Sequence, residues 1–179
     1  MLTTDRLLLR RWHESDREPF AALNADPEVM RYFPSTRTRA ESDGMVDRLD
    51  AAIETDGFGL WAVERLDTGA FVGFVGLSRP SFDPALLGQV EIGWRLARQA
   101  WGQGFATEAA REAVRFAFDP SGADLPALIS FTAAVNEPSR RVMLRLGMTH
   151  DPADDFEHPA LPPGHALRPH VLYRLSRAS

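Results

Sequence analysis

The stretch that decides the fold is "RQAWGQGFATEAAREAVRFAF", Arg98 to Phe118. Two glycines flank a glutamine, and a helical pattern begins at once. From Gln103 to Phe118 an apolar stripe (Phe105, Ala109, Ala113, Phe116, Ala117) runs beside a charged one (Glu108, Arg111, Glu112, Arg115), as in an amphipathic helix. Glu108–Arg111 and Glu112–Arg115 are spaced to pair on its outer face. Gly102 and Gly104 therefore stand at a helix N-terminus, where several N–H groups lack partners and the dipole is positive. Backbone without side chains lets a ligand approach closely. Together these features predict a phosphate-binding loop, with the Thr107 hydroxyl one turn in. A plain loop before a helix would explain two glycines alone. No Gly-Lys-Ser/Thr ending follows, so the loop is not built for a nucleoside triphosphate. The third glycine and leading position of a dinucleotide-binding fold are also missing. The expected ligand is a diphosphate carried by another kind of cofactor.

Upstream, "GQVEIGWRLA" (Gly88–Ala97) alternates strictly. Val90, Ile92, Trp94 and Leu96 share one face of a strand; Gln89, Glu91, Gly93 and Arg95 share the other. Before it, "FGLWAVERL", "DTG" and "AFVGFVGLSR" read as strand, tight turn and strand. The chain opens with a strand, "DRLLLRRW" (Asp5–Trp12), and a helix, "ESDREPFAALNA" (Glu14–Ala25). "DPEVMRYF" (Asp26–Phe33) predicts a short further turn of helix with Pro27 in its first position. "TRAESDGMVDRLDAAIE" (Thr38–Glu54) predicts another helix. Downstream come a strand, "PALISFTAAVN" (Pro126–Asn136), and a short helix, "PSRRVMLRLG" (Pro138–Gly147), with Gly147 as a left-handed cap. A Pro- and His-rich loop then leads to a last strand, "HVLYRLSR". The order β, helices, β-hairpin, β, α, β, α, β is an α+β plan on one mixed sheet, one domain over 1–179.

Composition sets limits on function. The chain has 179 residues, 44% hydrophobic and 25% charged, as expected of a globular domain. Its net charge of −5 and lack of a basic face speak against nucleic acid and suit an amine-bearing ligand. Cysteine is absent, which excludes disulfides, thiolate ligands and a cysteine nucleophile. No apolar run approaches the roughly 18 residues of a membrane span, and Met1 leads into the charged "TTDRLLLRRW" rather than a signal-peptide core. The expectation is a cytoplasmic protein with no membrane partner. The histidines show no His-x-x-x-His spacing, so no metal is expected.

Gln99-Ala100-Trp101-Gly102-Gln103-Gly104 reads Gln-x-x-Gly-x-Gly. It resembles the acetyl-coenzyme A signature of the GNAT N-acetyltransferase superfamily. The fuller run "EIGWRLARQAWGQGFATEA" is similar to the branch that includes the ribosomal-protein N-terminal acetyltransferases. The opening "LTTDRLLLRRW…DPEVMRYF" and the later "NEPSRRVMLRLGM" agree, in order, over nearly the whole chain. The resemblance implies a single mixed, mostly antiparallel sheet of about six to seven strands, about four flanking helices and a splayed central strand pair. It implies acetyl-CoA as cosubstrate. Trp94 and Leu96 would line the pantetheine arm, and Gln99, Trp101, Gly102, Gln103, Gly104, Phe105, Ala106 and Thr107 would surround the pyrophosphate. Asn136 would reach the pantetheine amides, although a helix cap before Pro138 would also explain it. Ser139 matches a position where the family often places a hydroxyl beside the thioester sulfur.

Acetyl transfer to an amine needs a deprotonated amine, a stabilised oxyanion and a protonated thiolate. Without cysteine, direct attack within a ternary complex is the natural course. A backbone N–H near Trp94 is the expected oxyanion donor, and Ser139 the expected proton donor, unless it is only a first-turn serine. Glu91, beside Gly93, is the first candidate base; Glu157 and His158 in the late loop are the others. The segment around Met30, Tyr32 and Phe33 and the loop from Phe156 to His170 should wall the acceptor side. A protein N-terminus, an aminoglycoside, a polyamine and an amino acid all remain open as acceptors, on a monomer or a homodimer. Two other classes remain beside the enzyme: a non-catalytic acyl-CoA binding or sensing module, and a structural protein that pairs through its sheet edge.

Overall fold

The structure, a computed structural model, describes residues 1–177. Its spine is one sheet of nine strands: β1 (Leu2–Thr3), β2 (Leu7–Arg10), β3 (Leu60–Arg65), β4 (Phe71–Ser78), β5 (Glu91–Leu96), β6 (Ala127–Ala133), β7 (Thr149–His150), β8 (Phe156–Glu157) and β9 (Pro169–Ser176). They run in the order β1-β2-β3-β4-β5-β6-β9-β7, with β8 also paired to β9. Every pairing is antiparallel except β5 with β6. Four helices flank the sheet: α1 (Arg17–Ala25), α2 (Arg39–Asp56), α3 (Phe105–Phe118) and α4 (Glu137–Arg145). The α+β plan is as expected. The strand count exceeds the expected six to seven because β1, β7 and β8 are two residues long, too short for alternation to betray them. None of the helices described is long and apolar enough to cross a membrane.

Cross-strand register assigns the faces. Val75 pairs with Trp61, whose ring meets Phe116 of α3 edge-on at 5.5 Å. The next pair, Phe74–Ala62, points the other way, and Phe74 lies 6.0 Å from Phe20 of α1. On β5, Trp94 pairs with Val75 and Arg95 with Phe74. Trp94 and Leu96 therefore share the α3 face, and Glu91, Gly93 and Arg95 share the α1–α2 face.

Local chemistry sets the helix ends. Thr38 and Glu41 form a capping box before α2, and Gly57 closes it in the left-handed region at φ 74°. Over Asp26–Phe33 the expected turn of helix is a single one: the Met30 N–H donates to the Asp26 carbonyl at 3.0 Å, and the chain then turns again with the Phe33 N–H on the Met30 carbonyl at 2.8 Å. Asp26, before Pro27, is extended at φ −75°, ψ 114°. Its carboxylate then accepts the Glu28 N–H at 2.8 Å, turning the chain.

Candidate active site

The site begins where the sheet comes apart. β5 and β6 share a single register pair, Glu91 with Ile129. Beyond it β5 stays with β4 and β6 with β9. At the fork the buried Ser130 hydroxyl donates to the Ile92 carbonyl at 2.8 Å. That bond satisfies an oxygen that has lost its strand partner. A cleft of about 1300 Å³ opens there, lined among others by Trp94, Leu96, Thr132, Asn136, Ser139 and the loop from Gly102 to Thr107.

The loop is built to present backbone. A short turn over Arg98–Ala100 is closed by the Gln103 side chain, which donates to the Gln99 carbonyl at 2.8 Å. The Trp101 indole donates to the Leu96 carbonyl at 2.8 Å. Gly102 and Gly104 adopt φ 74° and 82°. A β-carbon at Gly102 would meet no atom within 4 Å, so backbone angle, not crowding, requires glycine there. The first helical bond runs from the Glu108 N–H to the Gly104 carbonyl at 3.0 Å. The N–H groups of Phe105, Ala106 and Thr107 are left for a ligand. Arg111 and Arg145 also line the cleft and have no carboxylate partner among the described residues. A diphosphate with further anionic charge fits this combination of amides and guanidiniums.

One expected pair is not made. Glu112 holds Arg115 at 2.6 Å, as its spacing predicts. Glu108 does not hold Arg111. It binds Arg6 at 2.5 Å and the Thr4 hydroxyl, both from the N-terminal hairpin packed against α3. Arg111 is thereby freed for the cleft, and local spacing gave no sign of it. Thr132 and Arg145 also went unread, lying on elements whose cleft-facing side shows only in the fold.

Asn136 caps α4 after all: its side-chain oxygen accepts from the Ser139 N–H at 3.3 Å and its nitrogen donates to Thr132 at 2.8 Å. It still borders the cleft. The Ser139 hydroxyl makes no hydrogen bond within the described chain. Tyr32, Phe33 and Trp101 line the cleft, while Met30 is buried.

The three candidate bases lie outside that lining. Glu91 accepts the Ser78 hydroxyl at 3.2 Å, in the slot left by Gly93, where a β-carbon would sit 3.7 Å from the carboxylate. Burial pushes its pKa up to about 7, against the opposing Ser78 bond. Glu157 is paired with Arg168 at 2.7 Å and its side chain is 58% exposed, so it sits as an engaged surface carboxylate. His158 stacks on Phe82 at 4.6 Å and lies 4.9 Å from His170. Desolvation lowers the pKa of both imidazoles. Of the three, only Glu91 shares a face with a wall of the splay.

Known proteins resemble this chain in sequence and fold. The sequence profile of the acetyltransferase (GNAT) domain matches residues 6–149. The FsC-acetyl coenzyme A-N(2)-transacetylase of Aspergillus fumigatus is 34% identical over 170 residues, which cover 91% of this chain and 71% of that protein. An acetyltransferase structure from Agrobacterium tumefaciens superposes with a TM-score of 0.78 at 26% identity, over 98% of this chain and 94% of that one. The spermidine N-acetyltransferase of Vibrio cholerae, solved with CoA and spermine, shares the fold at a TM-score of 0.74 and 16% identity, over 97% and 96% of the two chains.

Proposed function

The chain belongs to the GNAT acetyltransferases, which use acetyl-CoA as donor, and from that premise we propose that it acetylates a primary amine by direct attack within a ternary complex. The observation that carries this is the cleft at the β5–β6 fork, continuous from the free amides of α3 to the Ser139 hydroxyl. The amides of Phe105 to Thr107, with Arg111 and Arg145, hold the pyrophosphate and phosphate charge of the cosubstrate. Trp94, Leu96 and Thr132 flank its pantetheine arm. The amine nitrogen attacks the thioester carbonyl carbon, and the carbon–sulfur bond breaks as the tetrahedral adduct collapses. Sulfur keeps the electron pair and takes a proton from Ser139, whose oxygen is reprotonated from solvent, while the proton of the amine passes through solvent to Glu91, which later returns it to solvent. A carboxyl poised at about 7 suits that exchange near neutral pH. The acceptor is an amine on a protein N-terminus, as in the ribosomal-protein branch that the motifs resemble, or on a small molecule.

The test combines two measurements. Calorimetry should show coenzyme A binding, and a panel of primary amines should release thiol from acetyl-CoA. Ser139→Ala should lower kcat by about ten- to a hundredfold with little change in cofactor affinity. Binding of coenzyme A without thiol release for any amine would leave a non-catalytic acyl-CoA module. Full activity in Ser139→Ala would return that residue to a structural role.

A further inference from the structure

We propose that Arg95 is the receptor for a carboxylate on the acceptor, so that the amine acetylated here also carries a carboxylate. The inference rests on the transfer reaction above and narrows its substrate class. Arg10 is buried and Arg95 half-buried, and they differ in one respect. Arg10 is fully matched: Asp16 takes two of its nitrogens at 2.7 and 2.9 Å, Glu64 takes Nε at 2.8 Å, and the Arg11 carbonyl accepts from Nη1 at 3.0 Å. Arg95 has no carboxylate partner among the described residues. Its one hydrogen bond runs from Nη1 to the neutral amide oxygen of Asn24 at 2.7 Å. Its Nε is closed off and bonds to nothing in the chain.

The surroundings offer the guanidinium no anion. Phe33 lies 4.1 Å from the guanidinium carbon and Phe74 5.3 Å, so two aromatic rings pack against it. The charge that reaches it is that of Arg37, another cation. Desolvation, with Arg37 adding to it, lowers the Arg95 pKa to about 10, so the group stays charged at neutral pH. A strut between α1 and β5 would need no charge, and a desolvated charge without a counter-ion is costly. The Nε–H and Nη2–H of a guanidinium form the side-on fork that grips a carboxylate through two parallel bonds; neither has a partner in the described chain, and Nε must be uncovered before both bonds can form.

Position links the fork to the chemistry. Arg95, Phe33 and Tyr32 line the cleft. Arg95 shares a face of β5 with Glu91, four residues or about 13 Å along the strand, with side-chain-free Gly93 between them. Phe33, 37% exposed, is the cover an acceptor must move aside to reach the fork.

The test uses matched pairs: ω-amino carboxylates of two to six carbons and their carboxamides, with thiol release as readout. Wild-type protein should favour at least one carboxylate over its carboxamide by about tenfold or more in kcat/KM, chiefly through KM. In Arg95→Gln that ratio should fall to near one, and in Arg95→Lys it should lie between. Each ratio is taken within one variant, so a loss of folded protein cancels. A wild-type ratio at or below one, or an unchanged ratio in Arg95→Gln, overturns the assignment. If no amine releases thiol, the same pairs are titrated by calorimetry into the CoA-loaded protein. Carboxylate-selective binding that disappears in Arg95→Gln then supports the receptor even though the transfer reaction fails. Equal binding of both members, or none in the millimolar range, overturns it.

Discussion

Glu91 carries the sharpest consequence at the scale of one residue. Its ordinary value of 4.5 is raised to about 7 because burial disfavours the carboxylate more than the Ser78 bond favours it. For catalysis the sign is direct: the base is the ionised form, so kcat/KM should climb with pH through a midpoint near 7. Glu91→Gln should flatten that limb, with its largest loss near neutrality and a smaller one at high pH, where solvent itself deprotonates the amine. For stability the sign is opposite. The folded state holds this proton more tightly than the unfolded chain. Its contribution is therefore full below about 4.5 and lost as pH rises through about 7. At about 1.4 kcal/mol per pH unit, the change is at most on the order of 3 kcal/mol. Glutamine has no such dependence. Between pH 5 and 8 the stability of Glu91→Gln should improve relative to wild type by roughly 2 kcal/mol in denaturant titrations. A difference that does not vary with pH would mean the carboxyl is not desolvated. A wild-type rate profile in Glu91→Gln would move the base elsewhere.

At the scale of an element, the glycine loop and α3 form one device. The loop turns the chain through two left-handed residues, and the helix start offers the amides this turn exposes. Gly104→Val puts a branched side chain at φ 82°, where L-residues are strained, and sets its β-carbon 3.6 Å from the Arg6 guanidinium. Coenzyme A affinity should fall by about tenfold or more, roughly 1.4 kcal/mol, in protein shown by circular dichroism to be folded. Unchanged affinity would remove the loop from the cofactor site. The same element shows what a local pattern carries. The buried stripe of α3 and the Glu112–Arg115 pair were legible, because both depend on spacing within one helix. The partner of Glu108 was not, because Arg6 reaches it from the other end of the chain. Asn136 was legible as two alternatives; the bond from the Ser139 N–H makes it the cap, and it also borders the cleft. Over Asp26–Phe33 the proline signal marked the one turn that forms, from the Asp26 carbonyl to the Met30 N–H.

At the scale of the molecule, the proposed reaction divides two tasks between the faces of the sheet. Alternation along β5 sends Trp94 and Leu96 to the cofactor cleft on the α3 side and Glu91 and Arg95 to the α1–α2 side. In that reaction donor and acceptor would meet at the gap between β5 and β6, where the strands do not pair. The sequence motifs imply such a splay by resemblance, but the residue at its apex, Ser130, stood out in no pattern. Its hydroxyl is the partner described for the Ile92 carbonyl, which faces the gap, and the residue is 2% exposed. Ser130→Ala removes that donor and leaves a buried carbonyl without a bond, which should cost about 1–3 kcal/mol. The urea midpoint should drop with an unchanged slope, since the surface exposed on unfolding is the same. The unsatisfied oxygen also gives β5 a reason to shift towards the amides of β6 and narrow the cleft. The KM for acetyl-CoA should therefore rise more than the stability loss alone explains, when measured at a temperature where both proteins are fully folded. A variant that is less stable yet keeps the wild-type KM would show that Ser130 supports the sheet without holding the fork open.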